Sequence, residues 1–228
     1  MNALTNPPDS KQARRAGLFR IGLTEIGRLE AFSDGVFAVA VTLLVLDLHL
    51  PSPEPSEEQL WTALARLLPS FVSWAISFAF LLVVWVNHHY LFSQIKHTDR
   101  GLMWLNGALL FGVSFVPFPT SVAGHYFLAP PGLVLTSVAM FVVSASFSAM
   151  RWYAGFVAEL THEQVTREAR GRALQRSLVG PVLYLVAAVV AFRWPVVSLL
   201  IQVFIPVLFF LRSPSHAHHP QTSDPPAA

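Results

Sequence analysis

Residues 67–94 contain no Asp, Glu, Lys or Arg, and residues 101–150 again contain none. A membrane-crossing helix needs about 20 mostly apolar residues, so the first run holds one such helix and the second is long enough for two. Pro117, Pro119, Gly124, Pro130, Pro131 and Gly132 fall in the middle of the second run and predict two spans joined by a breaker-rich turn. Residues 177–192 and 194–211 are apolar on either side of Arg193, Trp194 and Pro195, a tight helical hairpin. Before all of these, residues 31–50 are apolar except for Asp34, Asp47 and His49. The pattern predicts an all-α membrane protein with six transmembrane helices, over 29–50, 69–94, 101–123, 131–153, 174–192 and 195–212.

The polar segments test that count. Six crossings leave both ends on one side, and every Lys and Arg except Arg66 and Arg193 then falls on that side. Such an asymmetry assigns the basic side to the cytoplasm, so the expectation is a multi-pass cell-membrane protein with both termini cytoplasmic. Omitting any one span scrambles the sorting. Residues 1–27 read as a basic cytoplasmic segment without the apolar core of a cleaved signal, 28–212 as the transmembrane domain, and 213–228 as a disordered cytoplasmic tail. Residues 159–175 alternate in charge, and the Glu163/Arg167 and Glu168/Arg172 spacings suit a solvated helix.

Composition agrees: 12% of residues are charged, against about 25% in a soluble domain. The formal net charge of +2 is small for so apolar a chain and speaks about orientation, not nucleic acid. The absence of cysteine removes thiolate metal sites and cysteine nucleophiles. Nine histidines raise the question of a metal, but neither HExxH nor the repeated HxxxH boxes of membrane di-iron enzymes occur. His216, His218 and His219 lie in the tail. Ser33 lacks a GxSxG context. No enzyme, metal or cofactor is expected.

Asp34 is the unusual residue. A carboxylate inside an apolar helix costs roughly 2.5–3.5 kcal/mol at the bilayer centre, so it must face protein or water. Arg28 lies six positions earlier, about 120° around the helix, and is better placed to pair between helices or subunits than within one. Gly35, Val39, Thr42 and Leu46, with Leu43 at the edge, recur at helical spacing. Such a stripe serves ordinary packing or lines a shared axis, and periodicity alone does not choose.

The segment from Arg28 through Phe32, Ser33, Asp34 and Gly35 to Leu46 resembles the RxxxFSD signature of the endosomal/lysosomal potassium channel family in its prokaryotic form. The residues around Trp85, Asn87, His88 and His89 resemble the end of that family's second helix, and those from Asp99 to Asn106 and from Phe115 to Thr120 resemble its third. Together they span about residues 25–125. The resemblance implies a homotetramer of six-helix subunits in the lipid bilayer, with the first helix lining a central pore for monovalent cations. K+ is the permeant ion, with modest preference over Na+. By motif position, Val39, Thr42 or Leu43, and Leu46 form a largely apolar constriction. Arg28, Phe32, Ser33 and Asp34 hold the helix, with Trp85, His88 or His89, and Asn106 as partners. No TVGYG-like filter occurs. The competing reading is a proton-coupled carrier using Asp34 and a histidine of the second helix; broken helices and inverted repeats mark that class, and the sequence offers neither.

Overall fold

A computed structural model describes residues 10–50 and 56–211, with side chains excluded for residues 10–24 and Glu58. The described residues are almost wholly helical: α1 Ser10–Leu43, α2 Leu60–Arg66, α3 Leu68–Phe92, α4 Arg100–Phe115, α5 Pro117–His125, α6 Pro130–Trp152, α7 Arg167–Val190 and α8 Pro195–Leu211. Five segments are long and apolar enough to cross a membrane: Glu25–Asp47, Leu68–Phe92, Arg100–His125, Pro130–Val157 and Arg167–Val190. The sixth, Pro195–Leu211, is apolar but has 17 residues, about 26 Å of helix.

Local chemistry sets the boundaries. The third span is broken into α4 and α5 because Pro117 and Pro119 offer no amide to continue the ladder, and Val116 N–H closes a shorter turn onto Val113 C=O at 3.2 Å. Pro130 opens α6 at its first position, where a missing N–H is harmless. Asp99 caps α4 by accepting from Leu102 N at 2.8 Å, while its second oxygen accepts from the Tyr153 hydroxyl at 2.6 Å. Pro181 sits inside α7 and strips the Ser177 carbonyl of its intrahelical partner. The Ser148 hydroxyl of α6 lies 3.0 Å from that carbonyl and 2.9 Å from Ser144 C=O, its one hydrogen shared between them, so the proline is absorbed by helix packing.

The first span, expected over 29–50, falls at Glu25–Asp47, on a helix that begins at Ser10 and runs unbroken through the basic segment. Residues 1–9 and the tail 213–228 lie outside the described residues. One expectation needs correction, that of a helix through 159–175. The charged stretch 159–175 is helical only from Arg167, because Thr166 caps α7 by accepting from Ala169 N. Glu168 and Arg172 pair at 3.9 Å on the helix, but Glu163 precedes it and meets Lys96 at 3.7 Å instead.

The core runs through the middle of the bundle, with Leu81, Leu102, Leu109, Met140, Val143 and Tyr184 fully enclosed. Polar side chains join helices within it: Ser198 Oγ donates to Ala187 C=O at 2.8 Å and Gln202 Nε2 to Ser137 Oγ at 3.0 Å. In an apolar surrounding such bonds hold helices together where no hydrophobic drive exists between them. α1 packs against α3, α4 and α5, leaving one of its faces without a covering element.

Candidate functional site

Two faces of α1 differ. Ser33, Phe37, Ala40 and Leu44 are buried against the subunit's own helices. Gly35, Val39, Thr42 and Leu46 follow the same spacing two residues later, about 200° around the helix, and are all exposed. Val39 is 57%, Leu43 43% and Leu46 70% exposed. The stripe is therefore not packing within the subunit. Its last member lies on a 3-10 turn, Leu44–Asp47, that ends the helix. Thr42 Oγ1 donates to Val39 C=O at 2.9 Å, which leaves its lone pairs free to face outward. Beyond the stripe Asp47 accepts from Ser121 Oγ at 2.7 Å and lies 3.7 Å from His125 Nδ1.

The buried face is fastened by a directed chain of hydrogen bonds. Ser33 Oγ donates its one hydrogen to Leu29 C=O at 2.8 Å, so toward Asn106 it acts as an acceptor. Asn106 Nδ2 donates to it at 3.0 Å. The amide oxygen then faces His88 Nε2 at 2.9 Å, and that nitrogen carries the proton. Ser33, Asn106 and His88 are all buried. Three helices, α1, α4 and α3, thus meet at one amide. His88 is stacked on Phe92 with ring centroids 4.3 Å apart and lies against Phe37 at 5.7 Å.

A second, more exposed set of contacts flanks this chain. Trp85 Nε1 donates to Asp34 Oδ1 at 2.8 Å, and His89 Nδ1 lies 2.8 Å from Glu30 Oε1. Glu30 and Asp34 are one turn apart on α1, as are Trp85 and His89 on α3, so the two helices are joined by two rungs. The indole and imidazole stack with centroids 6.3 Å apart. Both histidines thus have partners on α1 or α4, on different sides of α3. Glu30 is the member that motif reasoning did not place; its position four residues before Asp34 is the signal that finds it. Asp34 bonds Trp85 rather than either histidine, so the carboxylate–histidine relay required by the carrier reading is not assembled by direct contact.

Arg28 and Phe32 stand apart from this network. Phe32 is 64% exposed, and Arg28, one turn earlier, is exposed and has no carboxylate partner among the described residues. Among the described residues no group of three or more His, Asp or Glu side chains is arranged to hold a metal ion.

Trp85→Phe keeps the ring and removes the donor to Asp34. The expected result is a loss of roughly 1–2 kcal/mol in the stability of the detergent-solubilised protein, read from its thermal midpoint, and full retention in Trp85→Phe/Asp34→Asn of the fold seen by circular dichroism.

The chain has relatives. The family model described as endosomal/lysosomal potassium channel TMEM175 matches residues 28–117, which begins at Arg28 and includes every residue of the stripe and the network. A protein of Chamaesiphon minutus named as a potassium channel is 37% identical over 194 residues, covering 83% of this chain and 96% of the relative. One of Streptomyces collinus, also named as a potassium channel, is 34% identical over 174 residues, covering 75% and 84%. The crystal structure of a lysosomal potassium-selective channel TMEM175 homolog from Chamaesiphon minutus superposes with a TM-score of 0.73 at 34% identity, over 83% of this chain and 98% of that one. On sequence and fold together, this membrane protein belongs to the TMEM175 channel family.

Proposed function

We propose that this chain is the subunit of a potassium-permeable cation channel in which four copies bring their α1 helices together around a central path. The chain is not an enzyme, and its function is carried by a surface rather than a pocket. The observation that carries the reading is the unpartnered face of α1, held outward by the buried Ser33–Asn106–His88 chain on the opposite side. Around the motif that face carries small residues, Ala31, Gly35, Ala38 and Thr42, with Val39 among them and the larger Leu43 and Leu46 at its far end, all exposed. The exposed faces of α7 and α8 carry Leu185, Val189, Leu200, Phe204 and Phe210, with Phe192 in the turn between them, bulk suited to acyl chains. Small residues suit a close approach of helices, and a cyclic assembly surrounds a path that one small bundle does not.

In this reading Val39, Thr42, Leu43 and Leu46 form the constriction. Apolar rings gate by dewetting, and ions pass when the ring widens or is hydrated. The Thr42 hydroxyls supply the polar contact during partial dehydration. With no carbonyl cage in the sequence, K+ is preferred over Na+ only modestly. Arg28 and Phe32 contact the neighbouring copy, while Ser33, Asp34, Trp85, His88, His89 and Asn106 position the pore helix. The basic loops put both termini on the cytoplasmic side of the cell membrane.

Recording from purified protein in a planar bilayer tests the reading. Unitary current steps that reverse near the K+ equilibrium potential, displaced toward that of Na+ in mixed salt, are expected; flux without unitary steps contradicts a channel. Arg28→Ala is expected to move a substantial fraction of the protein from tetramer to smaller species on size-exclusion chromatography in detergent, with helix content unchanged.

A further inference from the structure

A second feature of the bundle lies away from α1. A cleft of about 520 Å³ opens between α3, α6, α7 and α8, within the range of small-molecule sites. Its two ends differ in chemistry. At the end where α3 finishes and α7 starts, the lining includes Arg151, Arg172 and Arg176, with Gln94 beside them and no carboxylate. From there the cleft continues along Val84, Phe80, Phe147, Val179, Ile205 and Phe209. Gln94 and Phe80 are both on or next to α3, fourteen positions apart, about 21 Å along the helix; one leaflet's hydrocarbon is about 15 Å deep.

Arg151 is the informative residue. It is 7% exposed, its Nε has no hydrogen-bond partner, and among the described residues no carboxylate pairs with it. Its guanidinium lies 5.1 Å from the centroid of the Phe147 ring. An unpaired cation enclosed at the edge of a bilayer calls for an anion, and Arg is suited to bidentate contact with phosphate. Among the described residues Arg172 has only the exposed contact to Glu168 at 3.9 Å. Arg176, one turn further, has no ion-pair partner among the described residues.

We propose that the cleft binds one anionic phospholipid per subunit, its phosphate held by Arg151, Arg172 and Arg176 and one acyl chain lying along the apolar floor. Basic pockets between spanning helices hold anionic headgroups in this way. The site is separate from the α1 face and does not depend on conduction.

Native mass spectrometry of the full-length protein, titrated with phosphatidylglycerol or with phosphatidylcholine of the same acyl chains, tests this directly. Retention of phosphatidylglycerol in preference to phosphatidylcholine is expected. Arg151→Gln/Arg176→Gln should weaken phosphatidylglycerol binding about tenfold, and Val179→Trp, which fills the floor and keeps every arginine, should weaken it as well. If the Arg151 variant does not fold, Arg172→Gln/Arg176→Gln carries the same expectation at two exposed positions. Equal retention of both lipids, unchanged binding in the variants, or displacement of the lipid by inorganic phosphate at equal concentration (a site for a free anion) each overturns the proposal.

Discussion

Asn106→Leu should lower the stability of the purified protein by about 2–4 kcal/mol, the largest loss expected from any single polar substitution in the bundle. Asn106 is buried and bonds Ser33 on α1 and His88 on α3 at the same time. Leucine of similar volume removes both bonds and leaves the His88 Nε2–H enclosed without a partner, while Ser33 keeps its bond to Leu29 C=O. Each interhelical bond in a membrane contributes about 1–2 kcal/mol in model peptides, and stranding the imidazole N–H adds desolvation that the bond itself does not measure. The check is a thermal or denaturant transition in detergent, followed by a double-mutant cycle with His88→Ala. A coupling of about 1 kcal/mol or more between positions 88 and 106 is expected, because either substitution alone breaks the same bond. Additive effects mean that the amide and the imidazole do not act as a unit.

The second large effect is on conduction. Leu46→Ala should raise unitary conductance by at least about twofold and reduce K+ preference, because a wider, less apolar ring is more readily wetted. Leu46 is the most exposed of the three large apolar residues there, at 70% against 57% for Val39 and 43% for Leu43, and lies on a 3-10 turn that ends the helix. Val39→Ala acts in the same direction at a narrower side chain and should have a smaller effect. Stability should change little in either variant, since neither residue is buried in the subunit. A marked fall in thermal midpoint with unchanged current identifies the stripe as packing.

The spans were legible because long uncharged runs have few alternatives to a bilayer, and the hairpin at Arg193, Trp194 and Pro195 because proline and charge fall together. Element starts were less legible. Residues 10–28 contain helix-forming Ala, Lys and Arg but no apolar run, so hydropathy begins the first helix about a span's polar entry too late. Thr166 decides the start of α7 by capping, a choice that the evenly spaced charges around it obscure. α2 was not foreseen, since its seven residues merge into the apolar run that follows.

At the site, the motif led to α1, but neither the role of its stripe nor the choice between two adjacent histidines follows from spacing. An apolar stripe looks the same whether it packs or lines a path. The burial of Phe37, Ala40 and Leu44 on the opposite face shows that the stripe does not pack within the subunit, which spacing alone does not reveal. His88 and His89 point about 100° apart, and only the way α1 brings α3 and α4 to one point sends His88 to Asn106 and leaves His89 to Glu30. The recognisable motifs end at about residue 125, whereas the likeness to the Chamaesiphon minutus channel covers 83% of the chain.

The cysteine-free sequence makes the central claim directly testable. A Thr42→Cys channel, recorded in a planar bilayer and exposed to a charged, water-soluble methanethiosulfonate reagent, should lose nearly all of its K+ current. A Phe204→Cys channel, whose thiol lies on the acyl-chain face of α8 out of the reagent's reach, should keep it. Full current through Thr42→Cys after exposure, with the thiol still unmodified, would contradict an aqueous path along α1.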